Sequence, residues 1–262
     1  MKASYHNHTP LCNHATGSEE EYVLHAIKNG YEIFGFSDHA PHLFDEAISH
    51  SRMKPEQLSG YCERILELRH KYRDYIELHI GLELEYYPYY HKNDLELYRS
   101  CGVEYLIMGQ HLIGYSSPGV YKNSFAATDD RDGYIAYVNQ CIGGLRTGNF
   151  CYFAHPDVFR YVGDADFYRE QSDRLILCAK ELDIPLEVNM YGLVDGRHYP
   201  NPLFWERVSA LGAKVILGRD AHSVLRVHNE SEFPAALGFI EKHGLNLIDS
   251  LPDSFLHGAR LT

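Results

Sequence analysis

The chain has little positive charge, no long apolar run and no leader-like start. Its 36 acidic residues outnumber 24 lysines and arginines, which gives a formal net charge of −12. Nucleic-acid binders usually carry a basic face, so this balance disfavours a nucleic-acid partner. No stretch approaches the ~18 apolar residues of a membrane-spanning helix. The start is polar rather than signal-like, so we expect no membrane partner and a cytoplasmic location.

Closely spaced cysteines and linkers are also missing. The six cysteines form no Cys-x-x-Cys pair, and most sit within apolar patterns, which predicts buried thiols rather than disulfides. We find no Pro/Gly/Ser-rich linker, low-complexity block or short repeat. A chain of 262 residues can bury one sizeable core, so we expect a single domain over residues 1–262. The oligomeric state stays open.

Histidine, in contrast, is concentrated at the start of the chain. His6, His8 and His14 fall within the first fourteen residues. Side chains alternate along an extended strand, so His6 and His8 point the same way and can bind one metal ion before Pro10 ends the strand. The alternative is a surface tract or a tag remnant, but tags are consecutive histidines. The pattern therefore favours a metal site.

Apolar strand candidates alternate with amphipathic helices along the chain. Helices are predicted from Ser18, which begins a capping box, and over residues 56–72, 131–147, 172–182, 202–211 and from 231. About seven strands are predicted, at the start and over residues 33–37, 75–84, 105–108, 150–153, 185–189 and 214–217. This alternation indicates a parallel βα architecture.

Polar side chains follow the predicted strands at their C-terminal ends. They are His6 and His8, Asp38 and His39, Glu83 and Glu85, His111, His155, and Asp220 and His222. In a closed βα barrel these ends meet at one rim, where such folds place their active sites. The pattern therefore predicts one polynuclear metal site.

The motifs at these ends resemble those of the polymerase and histidinol phosphatase (PHP) domain family. In the family's order they are His6-x-His8, Ser37-Asp38-His39, Gly81-Leu82-Glu83, Gly109-Gln110-His111, Ala154-His155-Pro156 and Asp220-Ala221-His222. The resemblance implies a distorted seven-stranded (β/α)7 barrel with its metal site at the C-terminal rim of the strands. Within the family the chain is most similar to stand-alone histidinol-phosphate phosphatases. It therefore implies hydrolysis of L-histidinol phosphate, a small-molecule monoester, in L-histidine biosynthesis.

The resemblance also implies three divalent metal ions. Carried over by position, the ligands are His6, His8, Glu83 and Asp220 for the first ion, Glu83 with His111 and His155 for the second, and His14, His39 and His222 for the third. Imidazole and carboxylate ligands suit zinc, iron or manganese. Ions a few ångströms apart can share a hydroxide that attacks phosphorus in line.

A phosphate dianion also needs planar bidentate donors. Arg160, which follows His155 on the same loop, and Arg197, after the sixth predicted strand, are the candidates for binding it. Arg219 beside Asp220 is a third possibility. The alternative for each is a surface arginine in an ion pair.

Two further residues are assigned to catalysis. Asp38 could orient a ligand ring or a water molecule, or instead cap the next loop. His42 could contact the leaving alcohol or the substrate imidazole. Cys12 lies between ligands, and a bystander thiol is the simpler interpretation.

Two other functions compete with this interpretation. The chain could be a PHP hydrolase for another small phosphoester or for single-stranded DNA, although its acidic balance counts against DNA. It could instead be a metal-binding domain without turnover. That role would predict that some of the metal-ligating residues or the arginines near the rim are missing, and the sequence shows neither loss.

Overall fold

A curled parallel sheet of eight strands organises the structure, a computed structural model that describes residues 2–43, 50–113, 122–256 and 261. In chain order the strands are β1 (Ala3–Ser4), β2 (Ile33–His39), β3 (Glu77–Leu84), β4 (Tyr105–Met108), β5 (Leu112–Ile113), β6 (Lys122–Asn123), β7 (Phe150–Phe153), β8 (Leu186–Asn189), β9 (Lys214–Gly218) and β10 (Asn246–Leu247). The sheet order β1-β2-β3-β4-β7-β8-β9-β10 follows the chain. Strands β5 and β6 form a separate antiparallel pair.

Helices connect most of these strands. They are α1 (Glu19–Lys28), α2 (Leu58–Tyr72), α3 (His91–Cys101), α4 (Arg131–Leu145), α5 (Ala165–Glu181), α6 (Met190–Val194), α7 (Pro202–Leu211), α8 (Val224–Val227) and α9 (Glu232–His243). The parallel α/β class predicted from the sequence is confirmed. Within the described ranges we find no helix with the length and apolar character required to cross a bilayer.

The sheet has one strand more than the seven predicted. The additional strand, β10, pairs with the first two residues of β9. Beyond the other end of β9, the chain pairs instead with the segment that follows β1. There the His8 amide donates to the Ala221 carbonyl at 3.0 Å, and the Ala221 amide donates to the His6 carbonyl at 3.3 Å. Because β10 is only two residues long, its apolar pattern is too short to identify from the sequence.

Helix boundaries follow local capping where the sequence supplies it. The predicted capping box is present: the Glu21 amide donates to the Ser18 hydroxyl, and the Ser18 amide donates to the Glu21 carboxylate. Helix α5 begins seven residues before its predicted start at Ser172, because the Asp164 side chain caps it by accepting from the Phe167 amide. Helix α3 was not predicted.

The core has two parts, one between the sheet and the helices and a smaller one inside the curl. The inner cluster joins residues of β1, β4, β7 and β9 to Leu251 and Phe255 near the chain end. Tyr105 packs there against Gly35 and Gly81, where a Cβ would come within 2.2 Å of the tyrosine side chain. The interior of the curled sheet is therefore filled by side chains, and the polar site lies at its rim. Five of the six cysteines are buried, as predicted.

Candidate metal centre and active site

The nine predicted metal ligands come together at the C-terminal ends of β1, β2, β3, β4, β7 and β9. Their ligand atoms lie within 4.8 Å of one another in five groups of three: His14, His39 and His222; His6, His8 and Glu83; His6, His155 and Asp220; His39, Glu83 and His111; and His8, Cys12 and His222. All nine belong to at least one group. Residues more than 200 positions apart thus meet at the rim because the parallel strands end there.

Glu83 lies at the centre of this cluster, and its two carboxylate oxygens face different histidines. Oε1 is 2.8 Å from His155 Nε2 and 3.4 Å from His111 Nε2. Oε2 is 2.9 Å from His39 Nδ1 and 3.6 Å from Nε2 of His6. A carboxylate in this position can hold two cations at once.

Asp220 and His155 occupy unusual backbone conformations. Their φ angles are 52° and 31°, in the left-handed region that non-glycine residues rarely adopt. Each residue lies two positions after the end of a strand, and the turn directs Asp220 Oδ1 to within 3.1 Å of His8 Nε2 and 3.5 Å of His6 Nε2. Such conformations are concentrated at binding and catalytic sites, where the surrounding structure holds them.

Several ligand histidines are fixed by a contact at Nδ1. His6 Nδ1 is 2.7 Å from Glu187 Oε1, His14 Nδ1 donates to the Cys12 carbonyl at 2.7 Å, and His222 Nδ1 donates to the Asp220 carbonyl at 3.0 Å. These partners keep the proton on Nδ1 and leave the Nε2 lone pair available.

Some buried polar atoms of the cluster make no hydrogen bond. They include Nε2 of His6 and of His222 and Nδ1 of His155. Polar atoms without partners are costly in a protein interior, so an interior cluster of this kind requires a further binding partner. Divalent cations fit this donor set, which consists of imidazole nitrogens and carboxylate oxygens.

The charges of the cluster are strongly coupled. Burial disfavours the protonated forms of His6 and His8, yet the surrounding carboxylates raise the pKa of His6 well above its usual range and that of His8 to about 9. Burial also opposes ionisation of Glu83, but nearby imidazoles hold its pKa well below the usual range. At His39 and His222 burial prevails and lowers the pKa to about 3. A bound cation can therefore replace protons that the cluster otherwise holds.

The cluster opens into a cavity of about 340 Å³. Arg197 lines it, with its guanidinium 4.2 Å above the Tyr191 ring and a donated hydrogen bond of 3.2 Å to the Tyr199 hydroxyl. Arg160 lies in an adjoining cavity of about 420 Å³, which shares Arg197 and Tyr199 with the first, and its side chain is exposed. The structure therefore brings Arg197 to the cluster and Arg160 beside it.

Arg219 does not reach this cavity. Its side chain is buried, donates to the Tyr31 hydroxyl at 2.9 Å and pairs with Glu232 at 3.1 Å. The idea that Arg219 binds phosphate is therefore wrong. The strand end directs Asp220 into the site and the adjacent arginine side chain away from it.

Asp38 and His42 lie behind the cavity, and in the described part of the chain neither is among its lining residues. Asp38 is buried, with Oδ1 3.3 Å from His8 Nδ1 and Oδ2 accepting from the Thr9 amide. His42 Nδ1 is 2.7 Å from Asp94 Oδ2. Asp38 is thus positioned to orient His8.

Sequence reasoning missed three polar residues near the site. Arg52 lines the cavity and donates to Glu85 Oε2 at 2.6 Å. Glu187 and Asn189, at the end of β8, contact the ligands from behind. The signal for these two was present in the sequence, because two polar residues alternate in an otherwise apolar strand. Arg52 lies in a segment without periodicity and gave no such signal.

The chain is similar in sequence to known proteins. A family model described as PHP domain matches residues 4–191 and ends before Asp220 and His222. A Deinococcus radiodurans protein described as "Probable histidinol-phosphatase" is 28% identical over 225 residues, which cover 83% of this chain and 85% of that protein. A Schizosaccharomyces pombe protein with the same description is 24% identical and covers 97% of this chain and 91% of its own length.

The fold is also similar to that of a solved structure. Histidinol phosphate phosphatase from Lactococcus lactis, crystallised with zinc, L-histidinol and phosphate, superposes with a TM-score of 0.73 at 20% identity. The superposition covers 97% of this chain and 98% of that protein. The likeness supports the α/β architecture described above.

Proposed function

Since the chain belongs to the PHP domain family, we propose that it is a metal-dependent phosphatase that hydrolyses L-histidinol phosphate to L-histidinol and phosphate. The two relatives described as histidinol-phosphatases align with most of the chain. The reaction would serve L-histidine biosynthesis. One PHP-type domain spanning residues 1–262, with its longer strands arranged as a distorted barrel, would carry it out.

The metal site would hold three divalent ions of zinc, iron or manganese. Glu83 would bridge two of them, because its two oxygens face different sets of histidines. The buried nitrogens without hydrogen bonds at His6 and His222 supply further donors. Bound ions of this kind activate water near neutral pH and neutralise charge on phosphoryl oxygens. The zinc in the Lactococcus lactis structure supports a metal requirement.

The side chains around the ions would bind the substrate. Arg197 is held between Tyr191 and Tyr199, so its planar guanidinium can donate to two phosphoryl oxygens with little loss of rotamer freedom. Arg160 would approach the same phosphate from the adjoining cavity. Asp38 would hold His8 in place. His42 would act on the leaving group through Glu85, because Glu85 Oε2 lies 4.0 Å from His42 Nε2.

One observation carries the proposal. His155 and His222, which carry ring nitrogens without hydrogen bonds, line the same cavity of about 340 Å³ as Glu83 and Arg197. The cavity can therefore hold a phosphate group between the cations and the arginine, where negative charge develops during hydrolysis. Its volume falls within the range of pockets for small molecules.

The test is phosphate release by purified protein of known metal content. L-histidinol phosphate is compared with nucleotide, sugar and amino-alcohol phosphates and with a short single-stranded DNA. We expect a preference of ~100-fold or more in kcat/KM for histidinol phosphate, about 2.7 kcal/mol in transition-state binding. Equal rates across the panel, or activity on DNA alone, would refute the substrate assignment.

The arginine roles are tested with alanine variants. Arg197→Ala should lower kcat/KM by at least ~100-fold, and Arg160→Ala by less, because its side chain is exposed. Arg207→Ala is the control, since Arg207 pairs with Asp173 between α5 and α7 and has no place in the cavity lining among the described residues. Wild-type kcat and KM in Arg197→Ala would exclude the phosphate contact.

A further inference from the structure

Strand β8 supplies none of the nine predicted ligands, yet its last residues contact three of them. Glu187 is completely buried, and its Oε1 is 2.7 Å from His6 Nδ1. Its Oε2 accepts from the His155 backbone amide at 3.0 Å and from Asn189 Nδ2 at 3.0 Å. The same Asn189 Nδ2 donates to Asp220 Oδ2 at 3.1 Å. One buried pair thus contacts residues that lie just after β1, β7 and β9.

The local sequence makes room for this carboxylate. Gly218 lies beside it at the end of β9, and a Cβ there would come within 1.6 Å of Glu187 Oε1. On the other side, Asn189 Oδ1 accepts from the Gly192 amide at 2.7 Å and so caps α6. The position of the Glu187 side chain is therefore set by both neighbours.

A carboxylate is required here because every group that faces it donates. Its two oxygens receive the Nδ1 proton of His6, the amide of His155 and the side-chain amide of Asn189. A glutamine can accept at only one of the two positions. If its carbonyl faces His155 and Asn189, its NH2 faces His6 Nδ1, and His6 must then carry its proton on Nε2. That proton removes the lone pair which a metal ion needs.

We propose that Glu187 is a positioning residue that holds His6 in the Nδ1-protonated tautomer and thereby sets the affinity of the metal ion bound by His6 Nε2. The proposal rests on the metal site described under the proposed function. Asn189 also donates to Asp220, another of the four proposed ligands of that ion. The Nδ1 atoms of His14 and His222 donate to backbone carbonyls instead, and His222 Nδ1 also lies 3.3 Å from Asp220 Oδ1, further than the 2.7 Å contact between His6 and Glu187.

The test measures metal binding directly, by zinc titration against a competing chelator and by metal analysis of the dialysed protein. We expect Glu187→Gln to bind its His6-linked ion ~10- to 100-fold more weakly than wild type, so that one ion fewer survives dialysis. Glu187→Asp keeps a carboxylate and should retain more metal than Glu187→Gln. If Glu187 acted only by filling space, the order would be reversed, since glutamine preserves the volume.

The matched control is Asp94→Asn. Asp94 is another buried carboxylate, with Oδ2 2.7 Å from His42 Nδ1, but His42 belongs to none of the ligand groups found among the described residues. Its metal affinity should stay within twofold of wild type. If Glu187→Gln does not fold, Glu187→Asp decides, with affinity at least ~3-fold weaker than wild type expected.

The outcomes separate this inference from the proposed function. Wild-type affinity in Glu187→Gln, or unchanged affinity in Glu187→Asp where the glutamine variant does not fold, would overturn the role of Glu187 while leaving the phosphatase proposal intact. A wild-type protein that binds no divalent ion under any of these conditions would overturn both. Equal loss of metal in Asp94→Asn and Glu187→Gln would also reject the specific contact with His6.

Discussion

Replacing Gly109 by alanine should disable the centre of the cluster although no proposed metal ligand is replaced. Gly109 follows β4, and a Cβ at this position would lie 1.9 Å from Glu83 Oε1 and 2.5 Å from Glu83 Cδ. Ordinary van der Waals contact begins near 3.4 Å. The carboxylate would therefore have to move by about 1.5 Å, because the neighbouring backbone belongs to the sheet and cannot yield as easily.

A displacement of this size changes both sides of the site. Glu83 Oε1 is now 2.8 Å from His155 Nε2 and 3.4 Å from His111 Nε2. A misplacement of about 1 Å can cost ~100-fold in rate when it alters the geometry of reacting groups. We therefore expect kcat/KM for histidinol phosphate to fall by at least ~100-fold, which is about 2.7 kcal/mol, together with the loss of bound metal.

The assay combines steady-state phosphate release with metal analysis of the same preparation. Gly60→Ala is the control, since no atom lies within 4 Å of a Cβ at this position in α2. It should leave kcat/KM unchanged and stabilise the helix by up to ~1 kcal/mol. A Gly109→Ala enzyme with full metal content and kcat/KM within 3-fold of wild type would refute the reasoning.

Two further predictions concern stability, each measured by unfolding at a fixed excess of metal. Tyr105→Phe removes the hydroxyl that donates to the buried Tyr5 carbonyl at 2.7 Å, so the unfolding free energy should fall by about 1–3 kcal/mol; an unchanged melting temperature would contradict this. Against the opposing effect of burial, hydrogen bonds from His79 and Arg69 lower the pKa of Glu104 to about 2. Its stabilisation is therefore complete above the unfolded pKa of 4.5 and is lost as the pH falls through about 2. Glu104→Gln should accordingly cost about 2 kcal/mol at pH 7, after allowance for partial exposure, and much less at pH 2, where the folded carboxylate is about half protonated; a pH-independent difference would argue against the ion pair.

The meeting of eight of the nine proposed ligands at one rim could be predicted because it depends on a simple property of parallel sheets, whereas His14 was assigned as a ligand only through the family resemblance. Every strand of such a sheet ends at the same edge, so a polar residue just after an apolar run is placed by the run itself. His155 and Asp220 illustrate this: each follows a strand of four or five residues by two positions. Their distance in the sequence does not matter once the strands are recognised.

The supporting contacts could not be predicted in the same way, because they depend on how neighbouring strands are aligned. Glu187 contacts His6 across 181 positions, and nothing in either local sequence indicates the pairing. Arg52 reaches the cavity from an irregular segment. Arg219 and Asp220 are adjacent in the sequence, yet their side chains point to opposite sides of the strand end.

The pairing of neighbouring strands shows a pattern of glutamate and glycine that can also be found in the sequence. Glu83 on β3 pairs with Ile107 on β4, and Gly109, two positions further along the chain, directly follows β4. Glu187 on β8 pairs with Ile216 on β9, and the residue two positions further is Gly218.

In both places the glycine lies on the same face as the strand partner of the glutamate, and a Cβ there would come within 2 Å of the carboxylate. A glycine that ends or directly follows a short apolar strand can thus leave room for a carboxylate from the preceding strand. By this criterion Glu187 has the same sequence signature as Glu83, although only Glu83 belongs to a family motif. We therefore expect Gly218→Ala to reproduce the metal loss of the Glu187 variants, just as Gly109→Ala should reproduce the loss of Glu83.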